Sequence, residues 1–361
     1  MLIVGGGPSG LAAAAEAVAA GLDVTLVERD ARLGGSAICR GIDIDREPQG
    51  VRILTGSTCL GIYPESGEAG VAAPTGPVII AFSRLVVATG AYDRPLAYRG
   101  NDLPGTVGVR GFERLAAQQA FTERTRLGLV AAPEEARRAD AAAHRAGLRF
   151  AWATGPIRLQ DGIAARVFTD PVVRAHGRRR VRRVDLATAR ALPTDVLVIG
   201  FSQPTYQLAI HAGARASVMG SPAVVRAVGA DDALIVGEAA GWVDDPVAPT
   251  RTAVATWLDV GQTSRAADAP TFPSPSTPSP EAFACFCEDV RIADLEAAVT
   301  DGFTDAELVK RRTGAGTGPC QGAYCLGEVT ATLEGLGIAA SVPTIRPPMH
   351  PVRLADLAAD A

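Results

Sequence analysis

Residues 2–35 read LIVGGGPSGLAAAAEAVAAGLDVTLVERDARLGG, and this stretch decides the fold. Leu2 to Val4 is a short apolar strand. Residues 11–20 are alanine-rich and helix-prone, and Gly21 stands where a helix would stop. Val24 to Val27 reads as a second strand. Strand, glycine turn, helix and strand make a βαβ start, which implies a parallel sheet. Gly5-Gly6-Gly7-Pro8-Ser9-Gly10 is a G-x-G-x-x-G run that follows a strand and opens a helix. Glycines there let the backbone turn tightly and approach a pyrophosphate, and the helix N-terminus supplies free N–H groups and the positive end of its dipole. Glu28 ends the second strand, where its carboxylate can accept hydrogen bonds from both ribose hydroxyls. An acidic group at that point disfavours a 2′-phosphate, and with it NADP.

The rest of the composition sets limits. The chain has 361 residues, enough for two or three domains at roughly 100–200 residues each. It is 47% hydrophobic and 20% charged, as soluble globular proteins are. With 35 basic and 39 acidic residues the net charge is −4, which argues against a nucleic-acid-binding surface. Residues 11–20 come closest to a long apolar run, and Glu16 interrupts them, short of the ~18 residues that suggest a membrane helix. No basic region, long apolar region and cleavage site open the chain, so no secretory signal is read and a cytoplasmic location is expected. Met1 lies almost on the first strand, which leaves room for a start further upstream. In a reducing compartment six cysteines suggest thiols or metal ligands rather than disulfides. The four histidines are scattered with no H-E-x-x-H, which removes most of the weight from a zinc hydrolase.

Residues 78–90 read as two strands ending in a glycine turn. Residues 127–154 repeat the opening pattern: an apolar LGLVAA, a helical stretch from Glu134 to Arg145, Gly147, then LRFAWA. The turn of this second repeat is Ala131-Ala132-Pro133-Glu134-Glu135, with no glycine pair. Pro133 lacks a donor, and the two glutamates would repel a diphosphate, so NAD(P)H binding in the usual manner is not expected. Strands with polar turns are expected over 157–186, and further strands at Val196–Ile199 and 233–237. The six arginines from Arg174 to Arg183 read as a solvated hairpin face. Prolines alternate with Ser, Thr and Ala in a linker over 266–280, and a short cysteine-bearing module follows.

In that module Cys285-Phe286-Cys287 is C-x-C, and Cys320 and Cys325 form C-x4-C. Two helical stretches, about 291–300 and 304–312, lie between them. Four thiolates held in loops can ligate iron or zinc. Structural zinc more often uses C-x2-C pairs. Gly314, Gly316 and Gly318 would let backbone N–H groups approach the sulfides of an iron–sulfur cluster, and the helix after Cys325 would add its dipole. Cys39 and Cys59 read as ordinary thiols, since disulfide-reductase chemistry needs a pair soon after Gly34-Gly35.

The opening string, extended by Ala14, Gly21, Val24, Glu28 and Gly34-Gly35, resembles the FAD-binding pattern of the two-dinucleotide-domain, glutathione-reductase-like flavoproteins. Ala88-Thr89-Gly90 resembles their A-T-G motif. Ile235-Val236-Gly237-Glu238 resembles the late strand whose acidic residue touches the flavin ribityl chain, although that class usually has Asp there. The resemblance implies an FAD site made by Gly5, Gly7, Pro8, Ser9, Gly10, Glu28, Arg29, Gly34, Gly35, Ala88, Thr89, Gly90, Gly237 and Glu238. TGAGTGPCQGAYC resembles the bacterioferritin-associated-ferredoxin-like 2Fe-2S domain, which implies Cys285, Cys287, Cys320 and Cys325 as cluster ligands.

Taken together, the pieces resemble the α, or flavoprotein, subunit of heteromeric amine dehydrogenases and oxidases, among them sarcosine oxidase, D-hydroxyproline and proline dehydrogenases, opine oxidases and hydrogen cyanide synthase. LVVATGAYDRPLAYRGNDLPGTVG, ending at Gly108, VLVIGFSQPTYQLAIHAGA (196–214) and IRPPMHPVRLADLA (345–358) carry that resemblance along the chain. The stretch between Gly35 and Thr89 is short for the class. The resemblance implies an α/β, Rossmann-type two-dinucleotide-domain fold with a small C-terminal helical 2Fe-2S domain. Its parts would be an FAD unit over 1–105 and 196–265, a degenerate NAD(P)-like unit over 106–195, the linker over 266–281, the cluster domain over 282–338 and an extended tail over 339–361. It also implies FAD and 2Fe-2S as cofactors and an electron-relay role without a catalytic residue of the chain's own. A partner β flavoprotein would oxidise the amine, with room for a further small polypeptide in the complex. The competing readings are a stand-alone NAD(P)H-dependent flavin reductase and a scaffold subunit that has lost its FAD.

Overall fold

The computed structural model describes residues 1–40, 48–157, 162–164, 166–219, 224–228, 233–240, 247–260, 276, 278–339 and 341–354. Most of the expected linker and the last residues of the tail, 355–361, lie outside them. The opening elements form as the strand Leu2–Val4, the helix Pro8–Ala19 and the strand Val24–Val27. The helix starts at Pro8, ahead of the alanine-rich stretch. Proline suits this first position because its fixed φ is helical and its missing N–H has no partner there anyway.

These strands sit in a five-stranded parallel sheet ordered Ala233–Ile235, Leu85–Val87, Leu2–Val4, Val24–Val27, Val51–Leu54. The central strands are apolar at nearly every position because both faces are covered. On one face, Ala13, Ala14 and Ala17 of the first helix and Val254 and Trp257 of the helix Val247–Val260 share a core with Ile3, Leu26, Val86 and Leu234. The other face carries an antiparallel meander, Thr58–Tyr63, Glu68–Ala73 and Gly76–Ala81. Its Ile62, Val71 and Ile80 pack with Leu2, Val4 and Val87, and with Leu326 and Met349 from far along the chain.

A second five-stranded parallel sheet runs Val167–Phe168, Phe150–Thr154, Leu127–Ala131, Val196–Gly200, Thr106–Gly108. The helices Val109–Ala117 and Pro133–Arg145 cover one face. The hairpin Val172–His176 with Arg183–Leu186 covers the other, around Trp152, which is 2% exposed. Burying a large side chain of this kind contributes about 1.5–3 kcal/mol. Arg178, Arg179 and Arg180 are exposed in the turn of this hairpin.

One expected boundary needs correction. The sequence reading places residues from 196 onward in the first unit, but Val196–Gly200 lies inside the second sheet, between Leu127–Ala131 and Thr106–Gly108. All five residues are buried, as an interior parallel strand requires. The chain crosses back only after Gly200, through an antiparallel ribbon of Ser202–Pro204 with Ala91–Asp93.

The C-terminal module consists of the short ribbon Phe283–Cys285 with Val290–Arg291 and the helices Ile292–Thr300, Ala306–Thr313 and Leu326–Gly335. The helix Ala306–Thr313 is capped at both ends: the Asp305 carboxylate accepts from the N–H groups of Glu307 and Leu308, and Gly314 ends it in the left-handed region. Three buried polar contacts dock the module on the body. Asn101 donates to the carbonyls of Leu96 and Phe283 and accepts from the Phe283 N–H. Tyr206 donates to the Gly322 carbonyl at 3.1 Å. Arg94 pairs with Glu328 at 2.9 Å, the two side chains being only 2% and 10% exposed.

Candidate functional site

The glycine turn is built for close approach. Gly5 has φ +109°, a region that side chains avoid, and a Cβ there would lie 2.4 Å from the Ala88 carbonyl oxygen. A Cβ on Gly10 would lie 1.8 Å from the Gly5 carbonyl oxygen. Gly7, by contrast, faces open space among the described residues. It stands at the N-cap with no side-chain cap among the described residues, so the first turn of the helix presents unclaimed N–H groups there. Gly34 donates to the Gly6 carbonyl at 2.7 Å, folding Gly34-Gly35 back over the turn. The Glu28 carboxylate is 8% exposed and accepts the N–H of Gly6 at 2.6 Å and of Asp30 at 2.7 Å, one on each oxygen. Thr205 Oγ1 lies 2.5 Å from Thr89 Oγ1 and donates to the Gly90 carbonyl, fixing the Ala88-Thr89-Gly90 turn.

These groups line a cleft of about 360 Å³. Of the expected dinucleotide residues, Gly5, Gly7, Pro8, Ser9, Glu28, Arg29, Gly35, Ala88, Thr89, Gly90 and Glu238 all face it. Gly10 acts from behind the turn, Gly34 through its bond to Gly6, and Gly237 starts the short 3-10 turn that aims Glu238.

Glu238 meets two arginines: Arg110 at 3.0 Å and Arg138 at 2.8 Å. Arg138 also pairs with Glu113 at 2.9 Å, and Arg110 with Asp93 at 3.0 Å. Burial alone would raise the Glu238 carboxyl, but the two guanidiniums outweigh it and hold it below the usual range. Glu135, in the turn of the second βαβ repeat, is 5% exposed, and burial raises its carboxyl despite Ser202 and the nearby arginines. Sequence reasoning does not single out Arg110, Arg138, Glu113, Asp93 or Thr205. Their partners lie far along the chain, so no local spacing marks them.

The four module cysteines come together. Their thiols form a chain of hydrogen-bonding contacts, Cys287 to Cys320, Cys320 to Cys325 and Cys325 to Cys285. The contact with Cys325 lowers the Cys285 thiol to about 6 and the Cys320 thiol to about 5. Backbone N–H groups of Gly316, Glu288 and Cys287 reach Cys285, and those of Tyr324 and Gly322 reach Cys320. A Cβ on Gly318 would strike the Cys287 Cβ at 2.4 Å, so this glycine is needed for the loop to close on the thiols. Among the described residues no three His, Cys, Asp or Glu side chains converge as the ligand set of a single metal ion. Cys39 is half-buried and faces the dinucleotide cleft, and Cys59 is buried, its thiol pushed up to about 12 by burial.

A second cleft of about 450 Å³ contains all four module cysteines and shares Asp93 and Tyr324 with the first. Tyr324, which stands between Cys320 and Cys325, has its ring 5.4 Å from that of Tyr92, at 55°.

Comparison with known proteins supports this architecture. Residues 279–361 match the sarcosine oxidase A3 domain, and residues 3–63 match an NAD(P)-binding Rossmann-like domain. The A subunit of opine oxidase from Rhizobium meliloti (strain 1021) is 36% identical over 92 residues, which are 24% of this chain and 20% of that protein. L-proline dehydrogenase from P. horikoshii superposes with a TM-score of 0.77 over 99% of this chain and 78% of that one, at 20% identity. The C-terminal part of the chain is thus similar to the A3 domain of sarcosine oxidase, and the chain spans only a fifth of the opine oxidase subunit it matches. An NAD-dependent persulfide reductase from A. fulgidus superposes less well, with a TM-score of 0.57 over 73% of this chain and 59% of that one, at 15% identity. The two structural likenesses, at 20% and 15% identity, describe the fold alone. The A3 match is a likeness of sequence, not of fold alone. It covers the cysteine loop and the tail that returns to the first unit. No described helix is long and apolar enough to cross a membrane.

Proposed function

We propose that this chain is the electron-transfer subunit of a heteromeric dehydrogenase or oxidase that takes an amine or amino acid of the proline, hydroxyproline, sarcosine or opine type. In this reading the glycine-turn cleft takes FAD, and Cys285, Cys287, Cys320 and Cys325 take a 2Fe-2S centre. The observation that carries it is the junction of the two clefts, with Asp93 and Tyr324 in both walls and Tyr92 against Tyr324. When bound, the flavin would exchange one or two electrons and the cluster one at a time.

The chain's own residues fit that role. Ser9 and Gly10 offer N–H groups at an uncapped helix start, where a diphosphate is favoured. Each Glu28 oxygen takes one backbone N–H and keeps a further acceptor site for a ribose hydroxyl. Arg110 and Arg138 keep Glu238 ionised, so a polyol hydroxyl beside Gly90 would meet an acceptor. At the cysteines, backbone N–H groups stabilise negative sulfur, the charge a cluster would bring. The units would then be 1–105 with 201–265 for FAD, 106–200 for the degenerate unit, 282–338 for the cluster and 339–361 for the tail.

In this reading the chain supplies no catalytic acid or base of its own, and amine oxidation would fall to a partner β flavoprotein in the cytoplasm. The opine oxidase relative is named as one subunit of its enzyme, which supports an assembly of several chains. The test is to co-express the chain with a neighbouring amine-oxidase-like flavoprotein and assay metal and acid-released flavin. The expected result is FAD and about two irons per chain. Zinc without iron, or a folded complex with no flavin on this chain, would contradict it.

A further inference from the structure

A smaller cavity of about 140 Å³ adjoins the dinucleotide cleft and shares Glu28 with it. Its walls include Glu28, Arg29, Ser57, Cys59, Tyr92 and, from the C-terminal tail, His350. Gly5, Glu28, Arg29, Thr89, Ala91 and Tyr92 border both spaces. The diphosphate position is fixed by the helix start at Gly7 and the ribose position by Glu28, so the next group along an adenosine diphosphate is the base. The small cavity, walled by Glu28 and by Ser57 and Thr58 beyond the neighbouring strand, adjoins the ribose position and is the space we assign to that base.

The tail that delivers His350 is held at several points. The Met349 N–H donates to the Leu60 carbonyl at 2.9 Å, and the Met349 side chain is 1% exposed in the core under the meander. Pro347 lies against Gly61, whose Cβ would sit 3.3 Å from the Pro347 Cβ. Further back, the Thr344 N–H donates to Glu307 and the Thr344 carbonyl accepts from Lys310, both on the module helix Ala306–Thr313. The strap therefore runs from the cysteine module across the meander to the nucleotide cavity.

We infer that His350 is a wall of the adenine site, a flat ring supplied by the C-terminal tail to a nucleotide held by the N-terminal βαβ unit. The inference rests on the dinucleotide reading above and adds the residue that closes its adenine end. Burial and the neighbouring Arg29 charge lower the His350 imidazole to about 4, so at neutral pH the cavity presents an uncharged aromatic ring. Such a ring suits the face of a neutral base.

The experiment titrates the full chain, freed of bound nucleotide, with ADP and separately with inorganic pyrophosphate by calorimetry. His350→Ala is expected to weaken ADP about fivefold to tenfold, the size of one aromatic contact, and to leave pyrophosphate unchanged. His350→Phe, which keeps a flat ring, is expected to hold ADP within about twofold of the parent chain. Unchanged ADP affinity in His350→Ala would overturn the inference. So would an equal loss of pyrophosphate, which would mean a collapsed cleft, or a His350→Phe variant as weak as His350→Ala. If the parent chain binds pyrophosphate but neither ADP nor FAD, the dinucleotide reading fails along with the inference.

Discussion

The chain contains two βαβ turns of the same topology with opposite contents. At Gly5–Gly10 the backbone closes on itself, and the space before the helix is open to a ligand. At Ala131–Glu135 the space is taken by the protein. Gly200 packs against Ala131 and Glu135, and behind them lies the buried network of Arg138, Glu113, Arg110 and Glu238. The second turn thus serves the first: its charged residues support Glu238 at the edge of the cleft that the first turn opens. A βαβ repeat can in this way supply charged groups to the cleft of its neighbour.

Four predictions sharpen that contrast, from largest effect to smallest. Arg138→Ala strips Glu113 of its partner in a site where both side chains are 2% exposed, and should destabilise the fold by about 3–5 kcal/mol in urea unfolding. A loss below about 1 kcal/mol would mean that the network is not structural. Gly10→Ala drives a methyl into the Gly5 carbonyl and should cost about 1–3 kcal/mol and, on the proposed reading, abolish flavin retention. At the N-cap of the second helix, the position that matches Gly7, Ala132→Gly should stay within about 0.5 kcal/mol.

The third prediction concerns acid. Glu238, held below its ordinary value of 4.5, contributes stability that is complete above that pH and lost as pH falls through its lowered value. Glu135, raised above 4.5, does the reverse, and its contribution is lost as pH rises through the raised value. Thermal unfolding across pH should therefore show Glu238→Gln flattening the acid slope, while Glu135→Gln removes a decline above pH 4.5 and stabilises the chain at neutrality. The same sign for both variants would rule out this assignment. The smallest effect belongs to the solvent-facing pair of Glu134 with Arg137, where Arg137→Ala should change stability by no more than about 0.5 kcal/mol by thermal melt.

The first turn is legible in the sequence because its geometry is imposed by consecutive residues, with Gly10 seated against the Gly5 carbonyl and Gly7 left open at the helix start. The module cysteines are legible as two spaced pairs for the same reason. Arg110 and Arg138 are not, because they meet Glu238 across 128 and 100 positions of chain. The strand Val196–Gly200 is misassigned from sequence because five apolar residues read alike in either parallel sheet, and only the pairing with Leu127–Ala131 decides between them. His350 stands in a tail that carries a family resemblance, but its place beside Arg29 depends on how Met349 docks under the meander.

The central claim is that the dinucleotide cleft and the cysteine cleft form one electron path. Low-temperature EPR of the anaerobically reduced complex tests it most directly. The expected result is a rhombic signal from a reduced 2Fe-2S centre that disappears in Cys320→Ser. An EPR-silent complex that holds zinc and no iron would contradict it and leave the cysteine module as a structural clip.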